Sequence, residues 1–537
     1  MRVPRSLPFL AAAAVVLPLS ACDSAGGSGA APSGAPAPSA SPTPSPDAWI
    51  PGHVRQMSVR EKVGQLFVPT FSGAADARAK ITKYHVGGLI YFPGDLKTPE
   101  QTARLSNTLQ KAAKTPLLLA VDEEQGIVTR APYLTRFPGN MALGASGRAD
   151  DARTAARVTA TELRAVGINQ DYAPVADVNV NPANPVIGVR SFGADPARVS
   201  ALLGPAIAGF QEGGVAATAK HFPGHGNTAT DSHTGLPVIN VTPERWERID
   251  APPFRAAIAA GVDAIMSAHI VVPKLDGSGD PSTLSKKVLT GLLRERLGFT
   301  GVIVTDSLQM AGARAKYGDG ETAVRAVRAG ADQLLMPPSL PKAYNAVLKA
   351  VRNGRISQAR LDESVTRILK MKQRRGLYGN TQVDPAKAAS IVGTAEHKRA
   401  ARTVAENAVT LVRNTGGVLP LRDRKVFVTG PLSAALREAL TAQGVRTVGT
   451  ASAADVTVVT ARDSAPVVPS GRPAIVVALG RPYDLNRAAG AKALVATYSP
   501  RPVALHAAAR VLAGKVKPTA KLPVPVAGHK PGYGLTC

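Results

Sequence analysis

Short apolar runs alternate with longer amphipathic stretches between about residue 48 and residue 380. The runs have the length of buried strands, and the stretches between them repeat apolar residues at helical spacing. We predict eight strands, at residues 63–71, 86–92, 117–124, 168–177, 215–222, 264–272, 301–306 and 331–336. Helices are predicted between most of them, for example at 99–113, 152–166, 198–212 and 321–329. This alternation predicts an α/β fold, an N-terminal TIM (β/α)8 barrel over residues 48–380.

A doubly wound sheet is the alternative fold for this pattern. That fold needs fewer strands or a glycine-rich phosphate loop after the first strand, and the sequence has no such loop there. A second pattern follows a predicted helix at 358–376 and a connector at 381–395. It comprises a helix at 396–411, apolar runs at 425–429, 456–461, 474–479 and 494–498, and a helix at 502–512. We predict a smaller C-terminal α/β domain over residues 396–537.

The first residues have the pattern of an export signal. Arg2 and Arg5 precede a short apolar run at 8–19, which ends in Leu19-Ser20-Ala21-Cys22. This ending resembles a bacterial lipobox, in which the cysteine is acylated and the signal is cleaved before it. The sequence therefore predicts a lipoprotein signal peptide at 1–21 and a protein that is anchored through Cys22 to the outer face of the cell membrane. An ordinary signal peptide with an incidental cysteine is the alternative.

The composition of the chain limits the kinds of partner that it can bind. Residues 22–47 are mostly Ala, Gly, Ser and Pro, which is typical of a tether. The net charge is +26, but Lys and Arg are spread along the chain without a dense block or interleaved aromatics. This distribution argues against nucleic-acid binding and favours anionic wall polymers or lipid headgroups. Once Cys22 is acylated, Cys537 has no partner for an intramolecular disulfide.

Polar residues with possible chemistry follow several of the predicted strands. Asp122 ends the third strand and Arg130 follows it, Arg190 lies in the turn-rich segment after the fourth, and Asp306 ends the apolar seventh. A carboxylate and a guanidinium suit the hydroxyl groups of a sugar, and functional residues of a barrel collect at these strand ends. The alternatives are a surface acidic loop at Asp122 and a helix cap at Asp306.

The fifth strand leads into a histidine-rich loop. It begins Lys220-His221-Phe222-Pro223-Gly224-His225-Gly226 and continues to Asp231-Ser232-His233, so three of the nine histidines fall within thirteen residues. Zinc ligation is one reading, but metal sites favour fixed spacings on ordered elements. A glycine-rich loop instead suits a mobile proton-transfer group, and Asp231 lies close enough in sequence to orient His233. We predict no metal and no cofactor.

Together these motifs resemble glycoside hydrolase family 3, in particular its bacterial β-N-acetylglucosaminidases. The resemblance rests on the histidine-rich loop with its following Leu-Pro and on Thr-Asp-Ser-Leu-Gln-Met around Asp306, and it covers about residues 50–380. It implies a C-terminal α/β sandwich, Asp306 as nucleophile, and His233 as acid/base with Asp231 as its partner. It also implies a set of residues that bind the terminal N-acetylglucosamine: Asp122, Arg130, Arg190, Lys220 and His221. Gln125 departs from the family, which has a glycine there, so we expect an adjusted loop.

The resemblance implies an exo-acting, retaining hydrolase of terminal β-linked N-acetylglucosamine. Peptidoglycan fragments and chitooligosaccharides both remain possible substrates. Three other readings stay open: a β-N-acetylglucosaminide phosphorylase, another exo-glycosidase of the family such as a β-glucosidase, and a wall-binding lipoprotein with an inactive barrel.

Overall fold

The computed structural model describes residues 47–536. The predicted signal peptide, Cys22 and all of the predicted tether but Asp47 lie outside the described residues. The α-helices are α1 (Ile50–Gln56), α2 (Val59–Gln65), α3 (Gly73–Tyr84), α4 (Pro99–Ala112), α5 (Asn140–Ser146), α6 (Ala149–Ala165), α7 (Pro196–Glu212), α8 (Pro243–Ile249), α9 (Ala251–Ala259), α10 (Ala311–Arg314), α11 (Asp319–Ala329), α12 (Leu340–Arg352), α13 (Gln358–Arg374), α14 (Pro385–Ile391), α15 (Ala395–Ala408), α16 (Ser433–Thr441) and α17 (Pro502–Leu512). A π-helix, Lys287–Arg296, lies between α9 and α10.

A curled parallel sheet forms the centre of the N-terminal part. Its six strands pair in chain order: β2 (Gly88–Ile90), β3 (Leu118–Val121), β4 (Gln170–Asp171), β5 (Ala216–Phe222), β6 (Ala264–Ser267) and β7 (Val302–Thr305). Two further strands, β1 (Phe67–Val68) and β8 (Leu334–Leu335), pair with each other in parallel. Single bridges join Thr70 to Ile90 and Val304 to Gln333, at the two edges of the six-stranded sheet. We call this part, with its flanking helices, the half-barrel.

The strands are shorter than the apolar runs predicted. Residues 63–65 of the first predicted strand belong to α2, which starts at a capping box between Ser58 and Glu61. The fourth predicted strand stops at Asp171, before Pro174, which has no N–H to donate to a ladder. The predicted connector at 381–395 contains α14. The predicted helix at 396–411 ends at Ala408, because the β-branched stretch that follows forms β9 (Thr410–Asn414).

The C-terminal part is a mixed six-stranded sheet, which we call the sandwich. Its remaining strands are β10 (Lys425–Thr429), β11 (Arg446–Thr447), β12 (Val456–Ala461), β13 (Ala474–Ala478) and β14 (Ala493–Ala496). The order is β11-β10-β12-β13-β14-β9, and only β9 runs antiparallel to its neighbour. Side chains of β12 and β13 alternate between two apolar clusters, so both faces of the sheet are covered.

The half-barrel and the sandwich share an apolar cluster. Met141, Ala142 and Ala145 of α5 pack with residues from the second face of the sandwich sheet, among them Val476 and Tyr498. On the other side of the junction, Ala401 and Val404 of α15 belong to the core of the half-barrel. The two parts are therefore joined by buried apolar contacts, and polar contacts such as the hydrogen bond from Asn179 Nδ2 to Tyr483 Oη add to them. Within residues 47–536, no helix is both long and apolar enough to cross a membrane.

Candidate active site

One cavity of about 440 Å³ gathers most of the polar residues that follow the strands of the half-barrel. Because parallel strands end on the same side of a sheet, the loops after β3, β4, β5 and β7 meet there. All of the predicted site residues within 47–536 except Asp231 line this cavity, namely Asp122, Arg130, Arg190, Lys220, His221, His233 and Asp306. Asp231 reaches it through its contact with His233.

A charge network around the buried Glu124 connects three of the predicted sugar-binding residues, Arg190, Lys220 and Asp122. Glu124 accepts hydrogen bonds from Arg190 Nε and Nη2, both at 2.8 Å, and its Oε1 lies 2.6 Å from Lys220 Nζ. Lys220 also contacts Asp122 Oδ1 at 2.8 Å. Burial opposes ionisation of Glu124, but Arg190 and Lys220 outweigh it and hold the pKa of this carboxyl well below its usual range. The network fixes both cations, and Asp122 is the carboxylate that keeps some exposure, at 20% of its side chain.

A second buried carboxylate, Asp177, organises the start of the histidine-rich loop. Its Oδ2 lies 2.7 Å from His221 Nδ1, and its Oδ1 accepts hydrogen bonds from the backbone N–H groups of His221 and His225. Burial works against the charge of Asp177, but His221 and His225 overcome it and lower its pKa. Since Nδ1 of His221 faces a carboxylate, Nε2 is directed towards Arg190, 3.4 Å from its Nη2.

The predicted dyad is formed in the structure. Asp231 Oδ1 accepts the backbone N–H of His233 at 2.8 Å and lies 2.7 Å from His233 Nδ1. Contact with a carboxylate at Nδ1 leaves Nε2 for exchange of protons with a ligand. The side chain of His233 is 59% exposed, which suits a group that reaches a substrate from a loop.

Asp306 lies at the end of β7 and lines the cavity, where its side chain is partly buried. Burial raises its pKa, but the nearby His221 and His269 and the Ser307 amide more than compensate, so the pKa of Asp306 is lowered. Asp306 does not cap a helix, because the next helix, α10, begins at Ala311 with Met310 as its N-cap. His269 fixes the backbone beside it: its Nε2 lies 2.9 Å from the carbonyl oxygen of Ser307, to which it donates. An ionised, partly buried carboxylate at this place is chemically suited to attack an electrophilic carbon.

Gln125 stands in the loop that carries Arg130, at the position where the family resemblance implies a glycine. Gln125 has a φ of 65°, in the left-handed region, where a glycine would be free of strain. Its amide compensates with three hydrogen bonds: Nε2 donates to Thr135 O of the loop and to Thr159 Oγ1 of α6, and Oε1 accepts from Phe137 N of the loop. Arg130 lines the cavity, with its guanidinium 5.7 Å from the ring centre of Phe92.

Two important residues, Glu124 and Asp177, were not predicted as site residues. Both lie at the ends of predicted strands, 117–124 and 168–177, so the signal that singled out Asp306 was present for them as well. His225 is buried, and its Nε2 lies 2.8 Å from Ser232 Oγ. Among residues 47–536, no group of three or more His, Cys, Asp or Glu side chains is placed to hold a metal ion.

The chain is similar to known proteins over much of its length. The sequence profile described as "Glycosyl hydrolase family 3 N terminal domain" matches residues 58–371. A relative named Beta-N-acetylglucosaminidase/beta-glucosidase, from Cellulomonas fimi, is 36% identical over 385 residues, which are 70% of this chain and 68% of the relative. Beta-hexosaminidase LpqI of Mycobacterium tuberculosis is 36% identical over 393 residues, 69% of this chain and 98% of that protein.

A solved structure is similar over most of the fold. It is a glycoside hydrolase family 3 beta-N-acetylglucosaminidase from Paenibacillus sp. str. FPU-7, with a TM-score of 0.81 and 38% sequence identity. The similarity covers 87% of this chain and 99% of that one, so it extends through the half-barrel and into the sandwich.

Proposed function

The chain belongs to glycosyl hydrolase family 3 and is a glycoside hydrolase, and on this basis we propose that it removes terminal β-linked N-acetylglucosamine with retention of configuration. The observation that carries the proposal is a single cavity lined by an ionised, partly buried Asp306, an aspartate-backed His233 and a fixed set of sugar-binding groups. Relatives named for β-N-acetylglucosaminidase and β-hexosaminidase activity support the choice of sugar.

The mechanism has two displacements. Asp306 attacks the anomeric carbon, the bond to the leaving oxygen breaks, and a glycosyl-enzyme ester forms. His233 gives its proton to the leaving oxygen and then takes a proton from the water that hydrolyses the ester. Asp231 holds Nδ1 of His233 and stabilises the imidazolium.

Binding of the terminal sugar uses the remaining groups of the cavity. Asp122 accepts hydrogen bonds from hydroxyl groups, while Lys220, Arg190 and Arg130 donate to sugar oxygens. His221 presents Nε2 towards the same space, because Asp177 occupies its Nδ1. Glu124 neutralises part of the positive charge, so the site suits an uncharged sugar better than an anionic one.

Mass spectrometry of the protein after reaction with a slow fluorinated N-acetylglucosaminide tests the nucleophile. We expect one sugar adduct on the peptide that contains Asp306, because the slow second step allows the ester to accumulate. Asp306→Asn serves as the matched control and should carry no adduct. Label on any other peptide would overturn the assignment of Asp306.

Product analysis separates hydrolysis from its two enzymatic alternatives. We expect free N-acetylglucosamine both with and without added phosphate, whereas a sugar 1-phosphate that appears only with phosphate would indicate a phosphorylase. The double name of the Cellulomonas fimi relative favours a glucosidase side activity, so paired nitrophenyl glycosides of glucose and N-acetylglucosamine belong in the same assay. Comparing muropeptides with chitobiose then identifies the aglycone, which we propose to be a peptidoglycan fragment or a chitooligosaccharide.

The proposal extends to architecture and location. Closure of β1 and β8 with the six-stranded sheet would complete an eight-stranded TIM barrel over 48–380, and the bridges at Thr70 and Val304 support this. The residues 381–395 would then form the connector and 396–537 the C-terminal domain. The protein would be exported and held at the outer face of the membrane by a lipid on Cys22.

A further inference from the structure

The sandwich contacts the loop that carries Arg130. Arg501, the residue that precedes α17, donates from Nε to the carbonyl oxygen of Gly126 at 2.9 Å and from Nη2 to Thr129 Oγ1 at 3.1 Å. Both acceptors belong to the loop after β3, and Thr129 is the neighbour of Arg130 in the chain. A guanidinium that holds two points of one loop restricts its backbone more than a single bond would.

Arg130 depends on its backbone for its position. Its side chain makes no hydrogen bond or ion pair with any residue between 47 and 536, and its Nε is buried without a partner. The contact with the ring of Phe92 orients its guanidinium from the side. A buried donor with no acceptor is costly, and an acceptor from a bound ligand would satisfy it.

The two ends of the loop are held from different parts of the molecule. Buried Glu123 of the half-barrel accepts the backbone N–H groups of Arg130 and Ala131, at 2.7 and 3.0 Å. Arg501 of the sandwich holds Gly126 and Thr129 on the other side. Loss of the contacts from Arg501 would leave the segment between Gly126 and Ala131 held by the half-barrel alone.

We propose that Arg501 is a positioning residue for substrate binding, and that the sandwich serves the reaction by holding Arg130 towards the sugar through this contact. The inference rests on the proposed function, because it takes Arg130 as a sugar-binding group. It gives the sandwich a specific part in catalysis without placing any of its side chains on the substrate. Arg501 acts through the loop and does not line the cavity.

Steady-state kinetics of the full chain with a nitrophenyl N-acetylglucosaminide test the proposal. Arg501→Met keeps an unbranched side chain but removes both donors, and we expect KM to rise about tenfold while kcat changes less than about threefold. Such a split is expected for a group that binds substrate and transition state equally. Arg501→Lys, which can restore one of the two contacts, should recover part of the lost affinity.

A double-mutant cycle distinguishes positioning from general destabilisation. If Arg501 acts through Arg130, then Arg130→Met and the double variant Arg130→Met/Arg501→Met should have the same KM within about twofold. The matched control is Arg510→Met, on the same helix, whose guanidinium pairs with Glu406 and not with the loop. The control should keep the KM and kcat of the unmodified chain.

The outcomes separate this inference from the proposed function. If the wild-type enzyme is active but the KM of Arg501→Met is unchanged, the positioning role alone is overturned. The same follows if the effects of the two substitutions on KM multiply in the double variant. A wild-type chain that releases no N-acetylglucosamine from any substrate would instead overturn the proposed function. Thermal unfolding of each variant checks that a change in KM does not come from loss of folded protein.

Discussion

His225 Nε2 lies 2.8 Å from Ser232 Oγ, so an imidazole at the start of the histidine-rich loop holds the residue between Asp231 and His233. Both partners are buried, and the backbone of His225 is itself fixed by Asp177. Burial and the neighbouring His221 lower the pKa of His225 to about 4, against the opposing effect of Asp177, so the ring is neutral at physiological pH. The contact connects the rigid end of β5 to the exposed dyad.

Ser232→Ala removes this contact but does not change the side chains of Asp231 and His233 themselves. We expect kcat/KM to fall about tenfold or more for substrates with poor leaving groups, because these need a well-placed acid, and much less for strongly activated aryl leaving groups. The measurement is kcat/KM across a series of leaving groups. Thr234→Val, two residues further along the same loop, is the control, and an equal loss for all leaving groups would contradict the role of the contact.

Substitutions at Gln125 test how a left-handed residue is stabilised. Gln125→Ala keeps the strained φ but loses all three hydrogen bonds, and we expect about 2–4 kcal/mol of destabilisation. Gln125→Gly loses the same bonds but relieves the backbone, so it should be about 1 kcal/mol more stable than the alanine variant. Denaturant unfolding measures the difference. An alanine variant as stable as the glycine variant would mean that the strain is negligible.

The buried Lys372 should make the free energy of unfolding depend on pH. This lysine is fully buried, its Nζ donates to Gln65 Oε1 at 2.7 Å, and burial lowers its pKa to about 7. In the unfolded chain its pKa is about 10.4. Between these values the unfolded chain binds the extra proton, so the contribution of Lys372 to the free energy of unfolding rises with pH from about 7 to about 10.

Comparison with Lys372→Met isolates this contribution. The free energy of unfolding of the wild type, relative to the methionine variant, should increase by a few kcal/mol, roughly 2–4, between pH 7 and pH 10. Parallel denaturant titrations at several pH values give the difference at each pH. A difference that stays constant across this range would contradict the lowered pKa.

Cys22→Ala tests the predicted lipid anchor in a cellular context. We expect the unmodified protein to partition with membranes and to incorporate labelled fatty acid, and the variant to lose the label, because no other residue of the motif can be acylated. Cys537→Ala, the other cysteine of the chain, is the matched control and should keep the label. Equal labelling of both variants would rule out Cys22 as the anchor.

The strand ends were the part of the site that the sequence could predict. Asp122, His221 and Asp306 follow or end runs of apolar residues, and parallel strands bring such residues to one edge. The dyad was predictable for a different reason, since Asp231 and His233 are two positions apart and meet within one turn of the loop. For the strand ends, the position directly after an apolar run was sufficient for the prediction. For Asp231 and His233, the separation of two residues was sufficient.

The pairing of Glu124 with Arg190 and Lys220 could not be predicted in this way. These residues are 66 and 96 positions apart in the sequence, and only the curl of the sheet brings them together. The same holds for Arg501, which reaches the loop after β3 from beyond residue 500. The first predicted strand is a different case. Its apolar run is visible in the sequence, but residues 63–65 belong to α2, which starts at a capping box between Ser58 and Glu61.

The apolar cluster shared by α5 and the sandwich sheet has a thermodynamic consequence. Because Met141 and Ala145 are buried by residues such as Val476 and Tyr498, separating the two parts would expose the core of both. Unfolding of the sandwich should therefore take the half-barrel with it, as one cooperative transition in a calorimeter. A chain cut at residue 380 should be poorly soluble rather than a smaller working enzyme, so the catalytic part and its neighbour are expected to stay together as one folding unit.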